Sequence, residues 1–206
     1  MPSYTVHYLN ARVYAEPIRQ VFRLAGVPFT DHRMTYEEWP AVKPESPFGH
    51  IPFLEVDGQK LPQSQAIVRF IARQHGLAGN TPFEAAWVDA IGDQYKDYWQ
   101  EIIPLFKVIV GRGEGDLAKM RKESGEPARD KFFSIIEKLL TESKSGFLVG
   151  DGVTWVDLQI ADHVDHMLEK MPGYFDNFPK TLAHQKKVHE IPAIKKWIAE
   201  RPKALF

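Results

Sequence analysis

The N-terminal part of the chain alternates strand-like and helix-like patterns of apolar residues. Side chains alternate over the β-rich segment Tyr4–Leu9, which predicts a strand. Apolar residues then recur at helical spacing over Ala15–Gly26, and a glycine at the end is typical of a helix C-terminus. A second strand is predicted over Val27–Met34, before a proline-rich segment that we expect to be irregular.

A β-hairpin and one more helix follow the irregular segment. Ile51–Val56 is predicted to be a strand, and Asp57-Gly58 is the dipeptide most typical of a tight hairpin turn. Residues 59–62 complete the hairpin, and a helix is predicted over Ser64–Gly76. The order strand, helix, strand, loop, strand, strand, helix indicates a small α/β domain.

Beyond residues 79–82 the strand patterns end and amphipathic patterns continue along the chain. They predict helices over Phe83–Val110, Gly125–Ser143, Thr154–Met171, Lys180–Glu190 and Ile191–Glu200. Pro104 is expected to kink or break the first of these helices, because proline lacks a backbone N–H and clashes with the preceding turn. We therefore predict an α/β domain at residues 1–79 and an all-helical domain at residues 82–206.

The third of these helices has a clear start signal. Thr154 is a good N-cap residue, and Asp157 three residues later forms an acidic variant of the capping box. We assign both residues to folding and not to chemistry.

The composition is that of an ordinary globular protein, with 206 residues, of which 44% are hydrophobic and 26% charged. A net charge of −1 argues against a nucleic-acid-binding or acidic-membrane-binding surface. The sequence has no apolar run of membrane-spanning length and no signal-peptide pattern at its start, so we expect a cytoplasmic protein.

The sequence contains no cysteine. Disulfides, thiolate metal sites and a protein thiol nucleophile are therefore excluded. His163 and His166 are spaced i, i+3 on a predicted helix, but the sequence places no further ligand to complete a zinc shell. We predict no metal site, and a buried or surface helix face is the expected role of these histidines.

Some residues of the first domain have more than one interpretation. Ser64 stands where a helix begins, so it is either an N-cap or part of a site for an anion. Tyr8 ends the first strand and is either a core aromatic residue or a hydrogen-bond donor. Pro52, at the mouth of a strand, belongs at a sheet edge or a turn.

Five segments together resemble the glutathione transferases. They are YTVHYLNARVYAEPIR, EEWPAVK, FGHIPFLEVDG, QSQAI and GVTWVDL, in the order and spacing of that family. The resemblance covers essentially the whole chain and is strongest to the sigma class, which includes nematode enzymes and hematopoietic prostaglandin D synthase. It implies an α/β thioredoxin-like N-terminal domain followed by an all-α C-terminal domain.

The resemblance also implies a set of glutathione-binding residues. Tyr8 matches the catalytic tyrosine, whose hydroxyl donates a hydrogen bond to the glutathione thiolate, and Pro52 matches a cis-proline. Asp97 matches an acidic residue that reaches the glutathione amine of the neighbouring subunit, which implies a homodimer. The implied glutathione-binding residues are Tyr8, Trp39, Lys43, His50, Ile51, Pro52, Gln63, Ser64 and Asp97.

A pocket for the second substrate is implied next to these residues. Its expected lining is Leu9, Tyr14, Tyr95 and Trp99, with the C-terminal residues 203–206. Many sigma-class enzymes read Arg-Gly-Arg after the first strand, whereas this chain has tyrosine at position 14, so a positive charge near the sulfur is absent. His50 stands where relatives often carry glutamine or lysine.

The function implied is a glutathione transferase that adds the thiolate to small hydrophobic electrophiles, as in detoxification. Glutathione is then a co-substrate, and no cofactor is expected. The same family also includes carriers of haem or other flat apolar molecules, prostaglandin-type isomerases, and structural lens crystallins. Retention of Tyr8, Lys43 and Asp97 argues against a purely structural role.

Overall fold

The computed structural model describes residues 2–204. Contacts divide the chain into two compact units. One contains the residues up to Ala78 together with the segment from His189 onward, and the other is Gly79–Val188. The C-terminal segment thus groups with the α/β domain, whereas the sequence analysis assigned residues 82–206 to a single helical domain.

The described residues of the first unit form a four-stranded sheet in the order β2-β1-β3-β4. Its strands are β1 (Tyr4–Leu9), β2 (Thr30–Met34), β3 (Phe53–Val56) and β4 (Gln59–Pro62). Strand β2 is parallel to β1, while β1 and β3, and likewise β3 and β4, are antiparallel. The tight turn at Asp57-Gly58 has a positive φ at both residues, as the predicted hairpin requires.

The α-helices of the described chain are α1 (Glu16–Leu24), α2 (Trp39–Val42), α3 (Ser64–Gln74), α4 (Pro82–Ile109), α5 (Leu117–Met120), α6 (Glu126–Glu142), α7 (Trp155–Lys170), α8 (Pro179–His189) and α9 (Pro192–Glu200). A 3₁₀ turn at Lys43–Glu45 follows α2, and a π-helical turn at Arg121–Gly125 joins α5 to α6. The sequence pattern missed α2, α5 and the π turn, because segments this short carry too few apolar repeats.

Buried polar contacts hold α9 against α1 in the first unit. The Trp197 indole N–H donates to the Glu16 carboxylate at 2.7 Å, and the Arg201 guanidinium donates to the same oxygen at 3.0 Å. Glu16 also pairs with Arg19 at 3.3 Å, so its buried charge is compensated. These partners are separated by more than 180 positions, which is why the sequence pattern did not associate α9 with the first unit.

Helix α4 is 28 residues long and continues through Pro104, so the helix is not broken there. Ile102, two positions before the proline, and Leu105, directly after it, are fully buried. Their packing supplies stabilisation that offsets the hydrogen bond the proline cannot make. None of the helices within residues 2–204 is long and apolar enough to cross a membrane.

The predicted start of α7 is confirmed as a capping box. The Asp157 carboxylate accepts hydrogen bonds from the Thr154 backbone N–H and hydroxyl, each at 2.7 Å. It also accepts one from the Leu148 N–H at 2.8 Å and contacts His184 at 2.8 Å. Because this carboxylate is fully buried, its partners replace the water that it loses on folding.

Gly92 of α4 lies against the buried ring of Trp155, and a Cβ atom at this position would lie 2.0 Å from the ring's Cη2 atom. We expect Gly92→Ala to lower the free energy of unfolding by at least about 1 kcal/mol, because the ring cannot move within a packed core. Urea unfolding measures the change. Gly152→Ala is the matched control, since no described atom lies within 4 Å of the Cβ it would add, and it should have a much smaller effect. Equal stabilities of the two variants would contradict the steric argument.

Candidate functional site

Tyr8 lies at the C-terminal end of β1 and is 5% exposed. Its hydroxyl oxygen accepts a hydrogen bond from the backbone N–H of Tyr14, and burial raises the pKa of the phenol well above its usual value of 10. The hydroxyl therefore stays protonated at neutral pH. With its oxygen accepting from the backbone, its own hydrogen can be donated to an anion such as a thiolate.

The turn after β1 brings Tyr14 to this position. Val13 has φ of 35°, in the left-handed region that β-branched residues rarely adopt. The backbone is held in this shape by hydrogen bonds from the Ala11 N–H to the Leu9 carbonyl (2.7 Å) and from the Ala15 N–H to the Arg12 carbonyl (3.1 Å). Backbone strain thus occurs directly beside Tyr8, where sequence analysis did not predict it.

The segment before β3 has the predicted proline geometry. The Ile51–Pro52 peptide bond is cis, which agrees with the expectation from the resemblance. Ser46 anchors the segment, because its hydroxyl donates to the His50 carbonyl and accepts from the His50 N–H at 3.1 Å. Pro52 is buried, whereas the His50 side chain is exposed.

Helix α3 begins at Ser64, as predicted, and Gln63 is its N-cap residue. Gln63 has φ of 76°, an uncommon conformation for a residue other than glycine, and its side chain is exposed. Its carbonyl accepts the Ile67 N–H at 2.9 Å. The N-terminus of an 11-residue helix carries partial positive charge and favours an anion such as a carboxylate.

Trp39 and Lys43 lie on α2 and the 3₁₀ turn that follows it. The Trp39 ring is half-buried and Lys43 is exposed. The Lys43 Cε atom lies 3.7 Å from where a Cβ atom on Gly49 would be, so this lysine runs alongside the segment that leads to His50. The first unit therefore brings the Lys43 ammonium next to the segment that carries the cis-proline.

The remaining predicted site residues are divided between the two units. Leu9 is buried and Tyr14 is 38% exposed in the first unit. In the second unit, Asp97 is exposed, Trp99 is buried, and the Tyr95 hydroxyl lies 3.2 Å from His163 Nδ1. Of the predicted C-terminal lining, residues 205 and 206 lie outside the described residues.

His163 occupies an aromatic environment and contacts tyrosine hydroxyls. Its Nδ1 lies 3.2 Å from the Tyr95 hydroxyl and its Nε2 lies 3.0 Å from the Tyr98 hydroxyl. Burial lowers the pKa of His163 to about 3, with a smaller contribution from His166. A neutral imidazole donates through one nitrogen and accepts through the other, which suits two hydroxyl partners. No group of three or more His, Cys, Asp or Glu side chains is placed to hold a metal within residues 2–204.

Comparisons with known proteins agree with this architecture. Residues 10–81 match the glutathione S-transferase N-terminal domain, and residues 102–201 match the glutathione S-transferase C-terminal domain. Glutathione S-transferase 1 of Ascaris suum is 47% identical over 206 residues, covering 100% of both chains.

Solved structures give the same result. A structure described as a monomeric glutathione S-transferase of the hookworm Necator americanus has a TM-score of 0.96 at 50% identity, covering 99% of this chain and 100% of that one. Prostaglandin synthase D of Nilaparvata lugens has a TM-score of 0.85 at 29% identity, covering 98% and 99%. The predicted fold class, a thioredoxin-like α/β domain with a helical C-terminal domain, is thereby confirmed, and this chain belongs to the glutathione S-transferase family.

Proposed function

We propose that this chain is an enzyme that activates the thiol of glutathione as a thiolate and adds it to small hydrophobic electrophiles. The observation that carries this proposal is the buried, protonated Tyr8, whose oxygen already accepts the Tyr14 N–H. Such a hydroxyl has one hydrogen bond left to donate, and a thiolate is the anion that conjugation requires. Similarity over the whole chain to named glutathione S-transferases supports the same reaction.

The free energy of one hydrogen bond sets how far Tyr8 lowers the pKa of the glutathione thiol. A hydrogen bond to a charged group contributes about 1.5–3 kcal/mol, which lowers the thiol pKa by about one to two units from roughly 8.5. At pH 7 the thiolate fraction then rises from about 3% to roughly a quarter for a one-unit shift, and to roughly three quarters for a two-unit shift. A thiolate of lower pKa is also a weaker nucleophile, so holding the electrophile beside the sulfur must supply much of the remaining acceleration.

The first unit contains donors for each end of the tripeptide. We assign the glycine carboxylate to the Trp39 indole and the Lys43 ammonium, and the γ-glutamyl carboxylate to Gln63 and Ser64 at the N-terminus of α3. The extended cysteinyl part would lie along the backbone of His50, Ile51 and Pro52 and pair with it like an added strand. Leu9, Tyr14, Tyr95 and Trp99 are proposed to line the electrophile pocket.

Assays of the native chain test the proposal directly. We expect saturable conjugation of glutathione to a generic aryl halide, with a rate that follows the thiolate fraction as pH rises. A native chain that binds glutathione without turning over any electrophile would contradict the proposed reaction. A titration with haem, followed by its absorption spectrum, would then test a carrier.

Tyr14 stands where the resemblance expects arginine, so we propose that this enzyme stabilises its thiolate less strongly than sigma-class relatives. We expect Tyr14→Arg to lower the pKa of bound glutathione by about one unit, because a cation within about 4–6 Å favours the charged form of a thiol. The ultraviolet absorbance of the thiolate, recorded against pH, measures the change. Tyr14→Gln is the neutral control, and an equal shift in that variant would contradict a charge effect.

We further propose a homodimer in which Asp97 reaches the glutathione amine bound to the partner subunit. Support comes from the exposed carboxylate of Asp97 and from the resemblance, although one similar structure is described as monomeric. Sedimentation equilibrium of the native chain distinguishes a dimer from a monomer. A dimer mass, with weaker glutathione binding in Asp97→Asn, is the expected result, and a monomer mass would overturn the proposal.

We also propose membership of the sigma class and a cytoplasmic location. The class is supported by the quoted motifs and by the structural similarity to prostaglandin synthase D of Nilaparvata lugens. The location is supported by the substrate, because the cytosol maintains a reducing pool of glutathione. The pattern of inhibition by prostaglandin analogues tests the class. Imaging of the tagged chain tests the location.

A further inference from the structure

Arg19 of α1 is one of the largest side chains that the fold buries completely. Its Nε atom donates to the Asp31 carboxylate at 3.0 Å, and its Nη1 atom lies 3.3 Å from the Glu16 carboxylate. These two carboxylates compensate a charge that has lost its contact with water. Because a guanidinium has five N–H donors, further hydrogen bonds remain for it to make.

The other donors of Arg19 reach the turn that follows β1. Its Nη1 atom donates to the Ala11 carbonyl at 2.6 Å, and its Nη2 atom donates to the Leu9 carbonyl at the longer distance of 3.5 Å. Both carbonyls lie between Tyr8 and the start of α1. Hydrogen bonds from a charged donor are stronger than those between neutral groups. Arg19 therefore connects this turn to α1 and, through Asp31, to β2.

The same turn directs the Tyr14 N–H to the Tyr8 hydroxyl. The chain makes this turn through Val13, whose φ of 35° is unfavourable for a β-branched residue. A strained backbone conformation persists only where surrounding contacts hold it. The Ala11 carbonyl, two positions before Val13, is held by Arg19. The hydrogen bonds of Arg19 thus stabilise the turn in the conformation that brings the Tyr14 N–H to Tyr8.

We propose that Arg19 is a positioning residue for glutathione activation, a role that rests on the proposed function of this chain. By holding the Ala11 carbonyl, it keeps the Tyr14 N–H on the Tyr8 oxygen, and the Tyr8 hydrogen then stays directed at the glutathione sulfur. A donor that is already oriented stabilises the thiolate more than one that must first be ordered. Arg19 is fully buried and offers no surface to a substrate, so it acts through Tyr8.

The electrostatics around Tyr8 agree with this role. Burial raises the pKa of Tyr8 most, while the Arg19 charge and the hydrogen bond from the Tyr14 N–H act in the opposite direction. The Arg19 guanidinium is therefore close enough to influence the Tyr8 oxygen. Because two carboxylates offset its charge, we assign its effect mainly to its hydrogen bonds. A lysine would keep the charge, but its ammonium could not reproduce the planar set of donors.

Arg19→Lys tests the hydrogen bonds separately from the charge. We expect it to raise the pKa of enzyme-bound glutathione by about half a unit to one unit, so that kcat below this pKa falls about 3–10-fold. The rate should recover at a pH above the raised pKa. KM for glutathione should change less than about twofold, because the residues assigned to its carboxylates are untouched. The ultraviolet absorbance of the bound thiolate, recorded against pH, gives the pKa without any electrophile.

Arg23→Lys is the matched control, because Arg23 is an exposed arginine of the same helix. Its guanidinium lies over the rings of Phe29 and Trp197, at 5.0 and 4.6 Å from their centroids. This variant should leave the thiol pKa unchanged. In a Tyr8→Phe background, Arg19→Lys should cause no further shift, since its effect passes through the Tyr8 hydroxyl. A purely structural effect would be the same in both backgrounds.

Circular dichroism establishes that each variant is folded. If Arg19→Lys does not fold, Asp31→Ala takes its place, because it removes a carboxylate that orients the guanidinium. A smaller rise of the thiol pKa is then expected. An unchanged thiol pKa in the folded variant, or an equal shift in Arg23→Lys or in the Tyr8→Phe background, would overturn the role of Arg19. A native thiol pKa in Tyr8→Phe itself would instead contradict the proposed function.

Discussion

Replacing Tyr8 by phenylalanine is expected to lower glutathione conjugation by about 10–100-fold. The change removes one hydrogen bond to a charged sulfur, worth about 1.5–3 kcal/mol, and leaves the ring that packs in the core. Binding of glutathione should change little, because the two carboxylate ends of the tripeptide keep their partners. The measurements are kcat/KM with an aryl halide and Kd for glutathione by calorimetry.

Tyr4→Phe is the matched control for this prediction. Tyr4 is buried on the same face of β1 and loses the same hydroxyl in the variant. It contacts Phe22 of α1, with 5.1 Å between ring centroids, and we assign it no contact with glutathione. It should therefore retain activity. If Tyr8→Phe were as active as Tyr4→Phe, the sulfur would need another donor, and the Tyr14 hydroxyl would be the first to test.

Acidification is expected to destabilise the protein through His163. Its folded-state pKa of about 3 lies below the ordinary value of 6.5, so the unfolded chain binds a proton that the folded chain excludes. The contribution of neutral His163 to the free energy of unfolding is complete above about pH 6.5. It falls as the pH decreases below that value, until His163 also takes up a proton in the folded state near pH 3. At pH 4.5 the free energy of unfolding should be lower than at neutral pH by roughly 2–3 kcal/mol from this residue alone.

Urea unfolding of the native chain at a series of pH values measures this loss of stability. The pKa of His7 is also lowered, so His7 adds to the loss in the same direction. His163→Gln should be less stable at neutral pH, but its stability should depend much less on pH between 6.5 and 4.5. His75→Gln, at an exposed position, should keep the native slope. A native stability that stays constant down to pH 4.5, or an unchanged slope in His163→Gln, would show that His163 does not carry the effect.

Local patterns were sufficient for most elements of the fold. Alternation in Tyr4–Leu9, the turn at Asp57-Gly58 and the helix start at Thr154 depend on neighbouring residues, and each element lies where the pattern placed it. The cis bond before Pro52 was expected from the resemblance alone, since a local pattern does not distinguish cis from trans at a proline. The short helix α5 and the π turn were missed because they are 4 and 5 residues long, only about one turn each, and so offer too few apolar repeats.

Properties that depend on distant partners required the tertiary structure. A sequence pattern cannot say that α9 groups with the first unit, because the contacts from Trp197 and Arg201 to Glu16 bridge most of the chain. The same holds for His163, which sequence analysis considered only as a metal ligand or a helix-face residue. Its neutral state depends on burial and on hydroxyls contributed by another helix.

The sequence by itself determined the order of the elements, the absence of protein thiol chemistry and the family motifs, because each of these depends on residue identity and short-range spacing. Only the tertiary structure decided that the Tyr14 N–H donates to the Tyr8 hydroxyl, that Val13 has a positive φ and that His7 and His32 form a hydrogen bond. The physical reason is that hydrogen bonding, burial and pKa depend on distances between residues that strand pairing and loop geometry bring together.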